Sequence, residues 1–183
     1  MKIEEITRDG RLWSIKYDEA AHNALETLFG QWEDVSWLKQ FFTENIADLS
    51  AYFKITDVDQ AIFDTIADSE QLQCLILDIS PDADLDKLFR PLENSRTQEM
   101  LLGREKARVK NRPNHASWLR IYAIKLEPGV YIVTGGAIKL TATMQERQHT
   151  LDELKKMNSV RTFLLNENIY DAEGLADYLD TQN

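Results

Sequence analysis

Apolar and polar residues alternate with period two near the N-terminus and again past the middle of the chain, and with a period near 3.6 elsewhere. Period two marks a strand with one buried face, and 3.6 marks an amphipathic helix. Lys2-Ile3-Glu4-Glu5-Ile6 reads as a short strand. Asp9-Gly10 supplies a turn, and Leu12-Trp13-Ser14-Ile15-Lys16-Tyr17 returns with Trp13, Ile15 and Tyr17 on one side. Residues 1–20 are therefore predicted to be a β-hairpin.

Residues 21–91 read as helical. Leu25, Leu28 and Phe29 share a helix face that Gly30 closes. Asp34 or Ser36 can cap a second helix carrying Trp37, Leu38, Phe41, Phe42, Ile46, Leu49 and Phe53. Thr56-Asp57 opens a third with Val58, Ile62, Ile66, Leu72, Leu75, Ile76 and Ile79, with a break expected near Asp68-Ser69 and a stop at Ser80-Pro81. Leu85, Leu88 and Phe89 make a short amphipathic turn. Residues 92–116 form a basic loop. Its Arg104, Lys106, Arg108, Lys110 and Arg112 recur at every second position, which would align them on one side if this stretch were a strand. The turn signal Asn111-Arg112-Pro113-Asn114 argues equally for a solvated loop.

The strongest strand pattern lies at 117–140. Trp118, Arg120, Tyr122, Ile124 and Leu126 alternate with Leu119, Ile121, Ala123 and Lys125. Glu127-Pro128-Gly129 turns the chain, and Val130–Thr134 returns. Gly135-Gly136 makes a second turn or a bulge before a third strand, Ala137–Leu140. This is a β-meander. Gln145 opens a long helix with Leu151, Leu154, Met157, Val160, Phe163 and Leu164 on its buried stripe, and Asp171 caps a last short helix. Trp118, Ile132, Leu154 and Phe163 are the expected core markers.

These elements describe one α+β domain over residues 1–183: a hairpin and helices packed on a mainly antiparallel sheet, ending in a long helix. The 183-residue length suits one core, with 43% hydrophobic and 28% charged residues. Lys2-Ile3-Glu4-Glu5 is not a secretion signal, and no apolar run approaches a membrane span, so a cytoplasmic protein with no membrane partner is expected. The single cysteine, Cys74, lies in an apolar helical run and reads as a buried small hydrophobe.

Charge changes the picture. The net charge is −10, yet residues 1–102 hold 9 Lys/Arg against 21 Asp/Glu, residues 103–162 hold 12 against 5, and residues 163–183 hold none against 5. A basic middle within an acidic chain either balances its own front or meets a polyanion. A pI near 4.8 argues against a general DNA binder.

No phosphate loop, nucleophile elbow or dinucleotide fingerprint is present. His22, His115 and His149 are scattered, and Asp78, Asp82, Asp84 and Asp86 lack the pattern of an EF-hand, so no metal site and no cofactor is expected. The candidate chemistry is cationic. Arg120 and Tyr122 share a strand face, Lys139 lies two strands on, and Arg147 and His149 stand at the entrance to the long helix. Brought together, Arg120, Lys139 and His149 could hold a phosphodiester, stabilise its transition state and move a proton, with Arg104, Lys106, Tyr122 and Arg147 as substrate contacts.

Ser117–Tyr122, the Pro-Gly turn, Val130–Lys139 and the helix near Gln145 resemble the C-terminal half of RelE/HigB-like toxins, over roughly residues 115–165. The resemblance implies a small α/β fold with helices on one face of a sheet. It also implies a toxin of a type II toxin–antitoxin pair that cleaves messenger RNA, generally on the ribosome, and is neutralised by an antitoxin protein. Arg120 and Lys139 match the family's strand cations. The family's Lys-Lys-Thr-like cluster is here Lys139-Leu140-Thr141-Ala142-Thr143, with one lysine, and this chain is acidic where family members are basic. The alternative is a non-catalytic interaction module whose acidic surface binds a basic partner.

Overall fold

An Asp-Gly turn joins the first two strands, as the alternation predicts. β1 (Lys2–Glu5) and β2 (Leu12–Lys16) pair antiparallel, with Ile3 opposite Ile15. The computed structural model describes residues 1–77, 84–93, 100–109 and 114–182. Among them lie seven helices and a six-stranded mixed sheet, so the fold is α+β.

α1 (Ala24–Glu33) starts in a capping box, in which Asn23 Oδ1 accepts from the Glu26 N–H and the Glu26 carboxylate accepts from the Asn23 N–H. Gly30 does not end it. The helix runs on to Glu33 because Trp32, 1% exposed, is packed beneath it. Burial of an indole outweighs the glycine penalty of about 1 kcal/mol. Asp34 caps α2 (Val35–Glu44) by accepting from the Ser36 and Trp37 N–H groups. The apolar pattern that continued to Phe53 is interrupted at Asn45. There α3 (Ile46–Asp48) begins and leads into a π-helical turn at Leu49–Phe53. α4 (Val58–Leu77) passes unbroken through Asp68 and Ser69, both buried. Cys74 is exposed on it, because the helix turns Leu72 and Ile76 inward instead. Ser80-Pro81, Asp78 and Asp82 lie outside the described residues. Asp84 caps the one-turn α5 (Leu85–Leu88).

Four more strands complete the sheet: β3 (Phe89–Pro91), β4 (Gly103–Ala107), β5 (Leu119–Glu127) and β6 (Val130–Ile138). The basic segment is therefore not a loop throughout. Gly103–Ala107 pairs with β5 because Ala107 and Val109 have an apolar sheet face to fill. Lys110 and Arg112 lie outside the described residues. The meander is β4–β5–β6, and Ala137–Ile138 belong to β6 rather than to a third strand. A 3₁₀ turn (Met144–Glu146) precedes the long α6 (Gln148–Asn166), which starts three residues later than Gln145. α7 (Ala172–Gln182) closes the chain after the Asp171 cap.

The strand order is β1-β2-β6-β5-β4-β3, antiparallel except where β2 runs parallel to β6. One face carries Leu12, Leu119, Ile121, Tyr131 and Val133 under α1, α2 and α4. The other carries Ile15, Ile124, Leu126 and Ile132 under α6 and α7. Trp118 and Ile132 are fully buried. Leu154 and Phe163 are half-buried, since α6 turns Met157, Val160 and Leu164 most directly onto the sheet.

One irregularity decides which side chains of β6 reach the α6 face. Tyr122 pairs with Gly135, but Ala123 pairs with Val133, so Thr134 is an extra residue in β6. A bulge of this kind exchanges the two faces for every residue beyond it. Before it, even-numbered residues of β6 face α6. After it, Ala137 and Lys139 do, while Ile138 joins the opposite core. Both glycines at the bulge are needed for close approach. A Cβ on Gly135 would lie 2.0 Å from Glu153 Oε2, and one on Gly136 would lie 2.4 Å from the Arg120 carbonyl oxygen.

Candidate functional site

On the α6 face the even positions of β4 and β5 stand side by side: Arg104 opposite Ile124, and Lys106 opposite Tyr122. Arg120 lies two residues before Tyr122 on the same side. The bulge at Thr134 brings Lys139 to this side as well. Helix α6 does not cover this corner. A cleft of about 600 Å³ remains, lined by Arg90, Arg104, Lys106, Arg108, Arg120 and Lys139 around Tyr122, with Leu92, Met144 and Leu154 as its apolar wall. Its size suits a small ligand or one segment of a larger one.

The cations are fixed in place by backbone carbonyls. Arg120 Nη1 donates to the Ser117 and Leu119 carbonyls at 2.6 and 2.7 Å. Lys106 Nζ donates to the Leu92 carbonyl at 2.8 Å, and Lys139 Nζ to the Thr141 and Ala142 carbonyls at 2.6 Å each. Burial pushes the Arg120 guanidinium down to about 10, and Arg108 adds to this. Lys106 is held below its ordinary value by burial, then by Arg120 and Arg108. Lys139 is held below its own by burial, then by Arg120 and Lys106. These groups repel one another, which is the electrostatic state of a site that an anion relaxes. Tyr122 is 1% exposed, and its buried hydroxyl has no hydrogen-bond partner among the described residues. Burial holds it protonated well above the usual tyrosine range.

Arg120, Lys139, Arg104, Lys106 and Tyr122 thus meet in one cavity, and two other candidates do not. Arg147 grips Asp48 through two bonds of 2.6 Å, at the foot of α3. His149 lies on the far side of β6. Its Nε2 donates to the Ile138 carbonyl at 2.9 Å and its ring meets Phe41 edge-on. It lines a second cavity of about 470 Å³ with Tyr17, Trp37, Glu153 and Lys156. Among the described residues, no strand pairs with β6 beyond Val133 on that side, so Tyr17 and His149 satisfy its Thr134 and Ile138 carbonyls instead. The grouping of His149 with Arg120 is therefore corrected: the helix entrance places the imidazole behind the sheet edge.

No family model, curated protein or solved structure matches this chain. Arg90, Arg108 and Glu93 were absent from the site expected from sequence. The period-two recurrence of 104, 106 and 108 carried the signal for Arg108. Nothing local marks Arg90 or Glu93, which β3 brings in from across the sheet. Among the described residues no group of three or more His, Cys, Asp or Glu could hold a metal ion, and no helix is long and apolar enough to cross a membrane.

Proposed function

We propose that this chain is a toxin-like protein of a type II toxin–antitoxin module whose cleft holds the sugar–phosphate backbone of RNA. The observation that carries the reading is the convergence of Lys106, Arg108, Arg120 and Lys139 on one recessed cavity. An acidic protein repels a polyanion over most of its surface, so binding has to be local, and here the positive charge is local. The segment that resembles RelE/HigB-like toxins supplies Arg120, Tyr122 and Lys139, while β4 supplies Lys106 and ends one residue before Arg108.

The chemistry follows from position. Arg120 and Lys139 neutralise the charge that develops when a 2′-oxygen attacks the adjacent phosphorus. With His149 outside the cleft and Lys139 assigned to the phosphate, Lys106, whose basicity is also depressed, takes the 2′-hydroxyl proton. Water in the open cleft gives a proton to the departing 5′-oxygen. The O2′–P bond forms and the P–O5′ bond breaks, leaving a 2′,3′-cyclic phosphate and a 5′-hydroxyl.

The test is binding and cleavage of a labelled single-stranded oligoribonucleotide. Arg120→Ala and Lys139→Ala should each slow cleavage by about 10²-fold, the usual loss for one transition-state contact. Binding should weaken steeply with salt. An unmodified protein that neither binds nor cleaves RNA overturns the reading. Binding without cleavage favours the non-catalytic module, which the position of His149 outside the cleft also favours.

A further inference from the structure

Glu93 is the one acidic residue among the described residues that line the cleft. Its Oε1 lies 2.6 Å from Arg104 Nη2, while Arg104 Nη1 donates to Asn158 Oδ1 at 3.0 Å. Both terminal nitrogens of Arg104 are thereby engaged. Glu93 is where it is for a backbone reason. The Leu92 N–H donates to the Arg104 carbonyl at 2.9 Å, and the Leu92 carbonyl accepts from Lys106. The residue after Leu92 is therefore held over Arg104.

Arg104 also stands apart from the other cations. Its guanidinium is directed to Glu93 and Asn158, whereas Lys106, Arg120 and Lys139 are each held by backbone carbonyls. Alternate side chains of one strand are roughly 7 Å apart, so Arg104 serves a position one step along from the phosphate held at Lys106. The Glu93 side chain is 57% exposed, so water screens this ion pair and a competing anion can open it.

We infer that Glu93 is a built-in competitor for the ligand, a carboxylate that occupies Arg104 until a second phosphate of the same strand displaces it. This rests on the RNA-backbone reading above. Glu93 sets the affinity of the cleft for ligands long enough to reach Arg104, and leaves a lone phosphate at Lys106, Arg120 and Lys139 untouched. A weaker hold on the second phosphate shortens the residence of an oligonucleotide.

The experiment is a double-mutant cycle read by fluorescence anisotropy of a short labelled oligoribonucleotide, with inorganic phosphate as the second probe. Glu93→Gln should tighten oligoribonucleotide binding about two- to fivefold, the size expected for an exposed ion pair. It should leave the affinity for inorganic phosphate unchanged. In an Arg104→Ala background the same substitution should give no gain. Unchanged or weaker RNA binding by Glu93→Gln overturns the inference, as does a gain that persists without Arg104, which would mark a general field effect. RNA binding by neither the unmodified protein nor Glu93→Gln overturns the function proposed above, and this inference with it.

Discussion

The carboxylate of Asp64 and the imidazole of His115 meet at 2.9 Å, Oδ2 to Nε2, from positions 51 residues apart. Both side chains are more than nine-tenths buried. The His115 ring lies flat on Trp118 at 4.4 Å, and the Trp118 indole N–H donates to Thr65 Oγ1 at 2.9 Å. Two successive residues of α4 thus grip the segment that leads into β5. That segment sets the start of the strand on which Arg120 sits, so a helix on one face of the sheet fixes a cleft on the other.

Thr65→Val keeps the shape of this grip and removes its acceptor. It should destabilise the fold by about 1–3 kcal/mol, the usual penalty for leaving a buried donor unpaired. Urea unfolding measures it. A loss below about 0.5 kcal/mol would show that the indole finds another partner.

The bulge gives a second expectation. Gly136→Ala drives a Cβ into the Arg120 carbonyl, which is backbone and cannot step aside. A loss of about 1–3 kcal/mol, the range for overpacking, should result, together with weaker anion binding. Gly135→Ala meets the Glu153 carboxylate instead, and that is a side chain. Adding Glu153→Ala should restore part of its stability, the remainder being the backbone cost of a side chain at the positive φ of Gly135, and equal losses with and without Glu153 would contradict this account.

Glu153 predicts a pH dependence. Burial holds its carboxyl above the ordinary 4.5, while Lys156 pulls it down. The folded protein then keeps that proton more tightly than the unfolded chain. Stability from this group is present in acid and is lost as pH rises from about 4.5 through the folded value. Glu153→Gln removes the titration. Its unfolding free energy should gain on that of the unmodified protein over this rise, and parallel pH profiles would exclude the effect.

Lys106 predicts a pH–rate profile. If its neutral form is the base, as proposed above, cleavage should rise with pH and level off above the lowered value of this lysine. Lys106→Arg keeps the charge and gives up the titration, because a guanidinium holds its proton. A profile with the same rising limb in the variant would remove Lys106 from the chemical step.

The crowded cations predict a salt-specific stabilisation. Sulfate should raise the melting temperature more than chloride at equal ionic strength, since an anion bound only by the folded state stabilises it by mass action. The difference should shrink in Arg120→Ala. A shift that is the same in both proteins would place the sulfate elsewhere.

Much of the architecture is legible along the chain. The period-two runs at 2–6, 12–17 and 118–126 became strands, and Asp34 and Asp171 cap helices, because alternation and capping depend on neighbours a few residues away. Gly30 misled for the opposite reason: whether a helix survives a glycine depends on what is packed under Trp32. Residues 103–107 could be strand or loop until β5 offered them a partner. Cys74 looked buried because apolar neighbours surround it in sequence, but on α4 it is Leu72 and Ile76 that face inward.

The cleft divides the same way. Sequence alone put Arg120 beside Tyr122 on one strand face, and would put Arg104 beside Lys106 on another only if that stretch were a strand, since a two-residue step fixes side. It could not join them, nor bring in Arg90 and Glu93, because pairing across the sheet spans long stretches of chain. It placed His149 with Arg120 by nearness along the chain, whereas the open half of β6 drew the imidazole to the Ile138 carbonyl on the other side. Above all, the side on which Lys139 emerges was settled by one extra residue, Thr134. A bulge is a fact about two strands at once, and only the folded sheet contains it.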